Sequence, residues 1–94
     1  MNMPEEVLNE ILIFARKHDV KSVILFGSRA KGNHTERSDI DIAVSGGDFN
    51  SFYGDIKENV NSLLMFDVIN LDGKISPELQ NEIKKDGIKL YEKT

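Results

Sequence analysis

The chain has 94 residues, of which 39% are hydrophobic and 30% are charged, as is typical of a soluble globular protein. This length predicts one domain, residues 1–94, with one core and no room for a second domain. The absence of cysteine excludes disulfides and thiolate metal sites. The net charge of −4 disfavours a long polynucleotide as a direct substrate, because binding a nucleic-acid backbone usually requires a basic surface.

The chain also lacks the marks of a membrane or exported protein. No segment approaches the roughly 18 consecutive apolar residues of a membrane span. Its acidic start, MNMPEEVLNE, is unlike the first part of a signal peptide. We therefore expect a cytoplasmic protein that does not bind membranes.

Helices and strands are predicted to alternate along the chain. The predicted elements are a helix over 4–17, a strand over 23–26, a short helix from 28 to about 31, a strand over 39–44, a helix after Asp48, a strand from about 65 to 71, a helix opened by Ser76-Pro77-Glu78, and a short last strand at Ile88 and Leu90. Gly87 is placed to be the C′ residue of the last helix. The order α-β-α-β-α-β-α-β predicts an α/β fold with a mixed sheet and flanking helices.

The most informative segment runs from the first strand to the second. Gly27 and Ser28 end the apolar run Val23–Phe26, and the short helix that follows would direct N–H groups towards a phosphate. On the second strand, Asp39 and Asp41 alternate with aliphatic residues, so period 2 places both carboxylates on one face. Two carboxylates on one surface can hold a pair of hard cations.

The spacing of these residues is specific. Ser28 is followed by ten residues and then by Asp39-Ile40-Asp41. This GSx10DxD pattern resembles that of the polymerase-β-like nucleotidyltransferase superfamily, and within it the chain is most similar to the minimal nucleotidyltransferases. The resemblance covers nearly the whole chain, including a third carboxylate at Asp67 and the closing phrase from Ile83 to Tyr91. It implies the small nucleotidyltransferase fold.

The resemblance also implies roles for individual residues. Asp39 and Asp41 would bind two Mg²⁺ ions, and Asp67 would complete the metal site and serve as general base for the acceptor hydroxyl. Gly27 and Ser28 would hold the β- and γ-phosphates of ATP, with Arg29 as a supporting cation. The spacing does not separate Asp67 from Asp72; Asp67 is preferred because it lies inside a strand.

Other charged residues allow more than one interpretation. Lys31 and Arg37 could meet a triphosphate or could be solvated loop charges, with about equal weight. His18 and His34 are interpreted as exposed bystanders, and Ser28 as a phosphate-binding residue without a histidine partner for nucleophilic catalysis.

Three functions are compatible with the sequence. The resemblance implies an antitoxin that transfers AMP from ATP to a tyrosine of a HEPN-domain toxin, in a hetero-oligomer whose partner completes the acceptor site. The second is a non-catalytic antitoxin of the same fold that acts by occlusion. The third is a nucleotidyltransferase for a small molecule.

Overall fold

The computed structural model describes residues 3–33, 38–60 and 64–94. These residues form four helices and four strands in the predicted alternating order. The elements are α1 Glu5–Lys17, β1 Ser22–Phe26, α2 Ser28–Lys31, β2 Ile40–Ser45, α3 Phe49–Asn59, β3 Phe66–Asn70, α4 Pro77–Asp86 and β4 Ile88–Glu92. Every predicted element is present, and no predicted boundary shifts by more than one residue. Asp39, for example, immediately precedes β2 and does not open it.

The four strands form one mixed sheet in the order β3-β2-β1-β4. β1 is antiparallel to β2 and to β4, whereas β2 and β3 are parallel. β2 is therefore central and β3 is an edge strand. The predicted α/β fold with a mixed sheet and flanking helices is confirmed.

Helices cover both faces of the sheet. On one face, α1 and α3 bury a large core cluster that includes Ile11, Phe52 and Ile42, all fully buried. On the other face, α4 contributes Ile83 to a smaller cluster with Phe26 and Ala43. Ala43 lies on the polar face of the predicted alternation of β2, yet α4 buries it completely. The carboxylate face of β2 is therefore solvated only at its start.

Side-chain caps begin two of the helices as the sequence predicts. Asp48 Oδ1 accepts a hydrogen bond of 3.2 Å from the Ser51 N–H, and Ser76 Oγ accepts one of 3.2 Å from the Leu79 N–H. Each cap satisfies one of the N–H groups that lack a partner in the first helical turn. Pro4 is the N-cap residue of α1, so this helix begins at Glu5, one residue later than predicted.

Gly87 follows α4, but not in the left-handed conformation expected of a C′ glycine. Its φ of −67° is accessible to any residue. Glycine is instead required by space, because a Cβ atom here would overlap the Ile83 carbonyl oxygen and lie 2.7 Å from Ile24 Cγ2. Gly87 thus permits the chain to pass directly from α4 into β4.

Among the described residues, no helix is long and apolar enough to cross a membrane.

Two glycine substitutions should have opposite effects on stability. Gly54→Ala lies within α3 with open space around its Cβ position, so it should raise the free energy of unfolding by about 0.5–1 kcal/mol through helix propensity. Gly87→Ala should lower it by about 1–3 kcal/mol, because the added methyl meets backbone and Ile24. Urea unfolding of both variants measures this, and equal effects of the two would contradict the packing role of Gly87.

Candidate active site

The predicted site residues meet at one end of the sheet. β1 ends at Phe26, which lies opposite Asp41 in the antiparallel pair. Asp41 in turn lies beside Asp67 in the parallel pair of β2 and β3. Asp39 is two residues before Asp41 on the same face. The end of β1 and the beginnings of β2 and β3 therefore bring the Gly27-Ser28 turn and three carboxylates together.

Gly27 packs directly against the carboxylate of Asp41. A Cβ atom on Gly27 would overlap Asp41 Oδ2, and its φ of 75° is a conformation that side chains disfavour. Both the space and the backbone conformation therefore require glycine. The Gly27-Ser28 turn is therefore held next to Asp41, whose carboxylate is of the kind that binds metal ions.

Helix α2 begins at Ser28 and has a single turn. The N–H groups of Ala30 and Lys31 both donate to the Gly27 carbonyl at 3.1 Å. A helix of four residues has a small dipole, so attraction of a phosphate here depends on backbone N–H groups and the Ser28 hydroxyl. The phosphate role of Gly27 and Ser28 stays a prediction.

Arg29 lies in the interior with only 4% of its surface exposed. Its Nε donates to the Ser38 carbonyl at 3.1 Å, which connects α2 to the residue just before Asp39. This contact fixes the start of β2 relative to the Gly27-Ser28 turn. A supporting contact of Arg29 with a phosphate, expected from the resemblance, stays a prediction.

The electrostatics of the site centre on Asp41. Asp39 and Asp67 are exposed, whereas Asp41 is half-buried. Burial, and then the negative charges of Asp67, Asp39 and Glu82, raise the pKa of Asp41 to about 6. Unfavourable crowding of this kind is relieved when a cation binds between the carboxylates.

Glu82 is a member of this acidic environment that sequence reasoning missed. It lies on α4, and it accepts a hydrogen bond of 3.0 Å from Lys31 Nζ. Lys31 is also 4.0 Å from Asp86 on the same helix. The only signal in the sequence was the position of Glu82 next to the core residue Ile83, and spacing along one helix does not reveal which strand end it approaches.

Lys31, one of the two loop cations, is therefore paired with α4 in this structure. The other, Arg37, lies outside the described residues, as does His34. His18 differs from its interpretation as an exposed bystander. Its Nε2 lies 2.5 Å from Asp55 Oδ2, and its side chain is only 14% exposed.

The hydrogen-bonded His18–Asp55 pair lies away from the three carboxylates of the candidate site. Asp55 also accepts a hydrogen bond from Asn59 at 2.6 Å and lies 3.4 Å from Lys17 Nζ. The hydrogen bond from His18 is the main reason that the pKa of Asp55 is lowered. The pair joins the end of α1 to α3, on the sheet face opposite α4.

Asp67 and Asp72, which the sequence left open, lie at opposite ends of the sheet. Asp72 Oδ2 accepts a hydrogen bond of 2.7 Å from the Gly46 N–H, just after the end of β2. Asp67 instead lies beside Asp41 at the start of β2. The geometry thus favours Asp67 as the third carboxylate.

The three carboxylates suit a hard cation such as Mg²⁺ by donor type. Within residues 3–33, 38–60 and 64–94, however, no three His, Cys, Asp or Glu side chains form a cluster that could hold a metal ion alone. Magnesium sites commonly combine one or two carboxylates with substrate phosphates and water. The residues therefore fit a cation shared with a bound triphosphate, and they do not form a preformed protein cage.

Comparison with known proteins agrees with this geometry. Residues 9–94 match the family described as Polymerase beta, Nucleotidyltransferase. The chain belongs to this nucleotidyltransferase family. A relative from Methanocaldococcus jannaschii, named as a candidate protein adenylyltransferase, MJ1379, is 35% identical over 86% of this chain and 95% of its own length.

Solved structures share the fold of this nucleotidyltransferase. A toxin–antitoxin structure with AMP-PNP matches 92% of this chain and 73% of its own, at a TM-score of 0.72 and 23% identity. A structure of a mutant of the toxin–antitoxin MntA-HpeT matches 98% of this chain and 75% of its own, at a TM-score of 0.70 and 24% identity. These likenesses confirm the small nucleotidyltransferase fold, and with the family match they confirm the resemblance to minimal nucleotidyltransferases.

The raised pKa of Asp41 predicts a pH-dependent cost in stability. Its pKa is about 6 in the folded protein against an ordinary 3.8, so the folded state binds more protons in this window and stability falls as pH rises through it. Asp41→Asn cannot ionise. In EDTA, the free energy of unfolding of this variant should exceed that of wild type by on the order of 1 kcal/mol above pH about 6. The difference should disappear below pH 3.8, where Asp41 is protonated in both the folded and the unfolded state. Urea unfolding across this pH range tests the prediction, and a variant less stable than wild type at neutral pH would contradict it.

Proposed function

We propose that this nucleotidyltransferase moves AMP from ATP to a tyrosine hydroxyl of a HEPN-type toxin and thereby acts as its antitoxin. The observation that carries the proposal is the alignment of Asp41 with Asp67, directly against Gly27 at the start of the Gly27-Ser28 turn. The adenylyltransferase name of the relative and the toxin–antitoxin assemblies of the structural matches support the substrate class and the partner. We also propose a cytoplasmic location, where ATP is available.

The reaction requires one bond to form and one to break. The acceptor oxygen forms a bond to the α-phosphorus of ATP, the bond from that phosphorus to the bridging oxygen breaks, and pyrophosphate leaves. The proton of the hydroxyl passes to Asp67, which is exposed at the edge of the sheet and beside Asp41.

The remaining residues would bind and orient the nucleotide. Gly27 and Ser28 would hold the β- and γ-phosphates through N–H groups and the hydroxyl. Asp39 and Asp41, with Asp67, would hold two Mg²⁺ ions, which neutralise charge on the triphosphate and on the leaving group when bound. Arg29 would keep the start of β2 in register with the phosphate-binding turn through its bond to Ser38.

A protein acceptor suits the charge of this surface better than a nucleic acid does. The chain has a net charge of −4, and Asp39 and Asp67 are exposed at the open end of the site. These charges repel a phosphate backbone and attract a protein with a complementary surface. The acceptor and this chain would therefore form a hetero-oligomer.

Substitution of the three carboxylates should stop transfer without unfolding the protein. Asp39→Asn, Asp41→Asn and Asp67→Asn each remove one charge at constant size, and each should lower the rate by roughly 100-fold or more, since even outer-shell partners of metal ligands cost 10–100-fold. Asp72→Asn is the matched control, because Asp72 lies at the other end of the sheet. Circular dichroism and intact mass of the partner after incubation with ATP and magnesium give fold and transfer on the same samples.

The same experiment separates the proposal from the alternatives. The partner should gain the mass of AMP with wild type and with Asp72→Asn, and its toxic activity should fall only then. If Asp41→Asn neutralises the partner completely and wild type never gives an adduct, the protein acts by occlusion. Absence of a HEPN-type gene beside its own would favour a small-molecule acceptor instead.

Magnesium should strengthen the binding of ATP to the free protein. Clustered carboxylates repel both each other and the triphosphate until a cation binds between them, so ATP with magnesium should raise the melting temperature more than ATP alone. Thermal shift at saturating nucleotide measures both. In Asp41→Asn the difference should shrink, and equal shifts with and without magnesium in wild type would exclude a metal-dependent site.

A further inference from the structure

Met65 is the most exposed large hydrophobic residue in the described part of the chain. Its surface is 69% exposed, compared with 57% for Ile13 on α1 and 40% for Tyr53 on α3. The ring of Tyr53 contacts Phe49 and Lys57, which accounts for its position within the protein. Met65 has no comparable role in the core.

Met65 lies next to the carboxylates. Ile40 pairs with Phe66, so the preceding residues, Asp39 and Met65, lie side by side at the start of the two strands. Since side chains alternate along a strand, Met65 is on the same face as Asp67. The exposed thioether thus borders both exposed carboxylates of the site.

The backbone around Met65 is held in place. Its carbonyl accepts a hydrogen bond of 2.9 Å from the Ile40 N–H. The next carbonyl, that of Phe66, accepts a hydrogen bond from Lys57 Nζ. These two contacts hold the backbone of Met65 at the start of β3.

The site is exposed along β3, whereas β1, α2 and α4 lie beside it on the other side. Gly27 packs against Asp41, and Lys31 connects α2 to Glu82 on α4 at 3.0 Å. β3 is an edge strand, and Asp67 on it is exposed. Met65 therefore lies beside the exposed Asp67 on this edge strand.

We propose that Met65 is a specificity-determining residue that packs against the aromatic ring of the acceptor tyrosine, while Asp67 contacts its hydroxyl. This inference rests on the proposed function, transfer of AMP to a tyrosine. A thioether makes favourable contacts with aromatic rings and adapts to their position. Such a contact selects a phenol over the hydroxyls of serine and threonine, which have no ring to cover Met65.

The test uses three variants with a HEPN-type protein, the partner in the proposed function, as acceptor. Met65→Gln should raise the KM for the acceptor about tenfold, since it removes an apolar contact of side-chain size. Its kcat, and its affinity for ATP with magnesium, should stay within about twofold of wild type. Met65→Leu should restore most of the acceptor KM, and Ile13→Gln, an equally polar change on exposed α1, should leave it unchanged.

Two readouts keep this inference separate from the proposed function. Transfer is followed by intact mass, and affinity for the acceptor is measured independently by calorimetry. If wild type transfers nothing but Met65→Gln weakens acceptor binding about tenfold relative to Ile13→Gln, the contact stands and the catalytic function fails. The assignment of Met65 is overturned if Met65→Gln matches Ile13→Gln in both KM and affinity. It is also overturned if the wild-type protein transfers AMP with unchanged efficiency to an acceptor in which serine replaces the tyrosine.

Discussion

The contact between the Gly27 backbone and the Asp41 carboxylate determines how the rest of the site is built. A side chain at position 27 would overlap Asp41 Oδ2, so the Gly27-Ser28 turn and the central carboxylate can be this close only if the residue is glycine. The contact also requires β1 and β2 to be antiparallel neighbours, because only then does the end of β1 face the start of β2. The sheet order and the side-chain chemistry thus depend on one another.

The same contact contributes to an energetic cost at Asp41. Asp41 is half-buried between Gly27 and the α4 face, and its pKa is raised to about 6 by burial first and by neighbouring carboxylates second. Burial of a carboxylate without a paired cation is unfavourable for the fold. Its retention at the centre of the sheet is understandable if a bound cation offsets the cost, since the ion would strengthen both the fold and the nucleotide complex.

The sequence predicted the elements well because their signals are local. Asp48 and Ser76 cap helices through their own side chains, and the apolar run from Val23 identifies β1 without knowledge of its partners. The sequence did not predict most of the tertiary contacts. The burial of Arg29 and the approach of Glu82 to Asp41 follow from pairings between segments distant in sequence. The sequence already favoured Asp67 over Asp72 for its place inside a strand, and the pairing of β2 with β3 adds its position beside Asp41.

The wrong or missed details have the same origin. A larger residue at position 87 would overlap both the Ile83 carbonyl oxygen and Ile24 on β1, and the largely buried His18 is hydrogen-bonded to Asp55 of α3. Local sequence rules predicted a glycine-terminated helix at Gly87, whereas the packing around this residue shows why a larger side chain does not fit.

The site consists of a fixed side and an open side, and this division suits a transferase with a protein acceptor. On the fixed side, β1, α2 and α4 are connected by Gly27 and by the Lys31–Glu82 pair, so the Gly27-Ser28 turn keeps its position beside Asp41. On the open side, the edge strand β3 carries Asp67 and is shielded from pairing with other strands at Phe66, whose carbonyl accepts from Lys57. A partner can thus contact side chains at the start of β3, including Asp67, without adding a strand to the sheet, and the proposed transfer to a partner hydroxyl requires an approach of this kind.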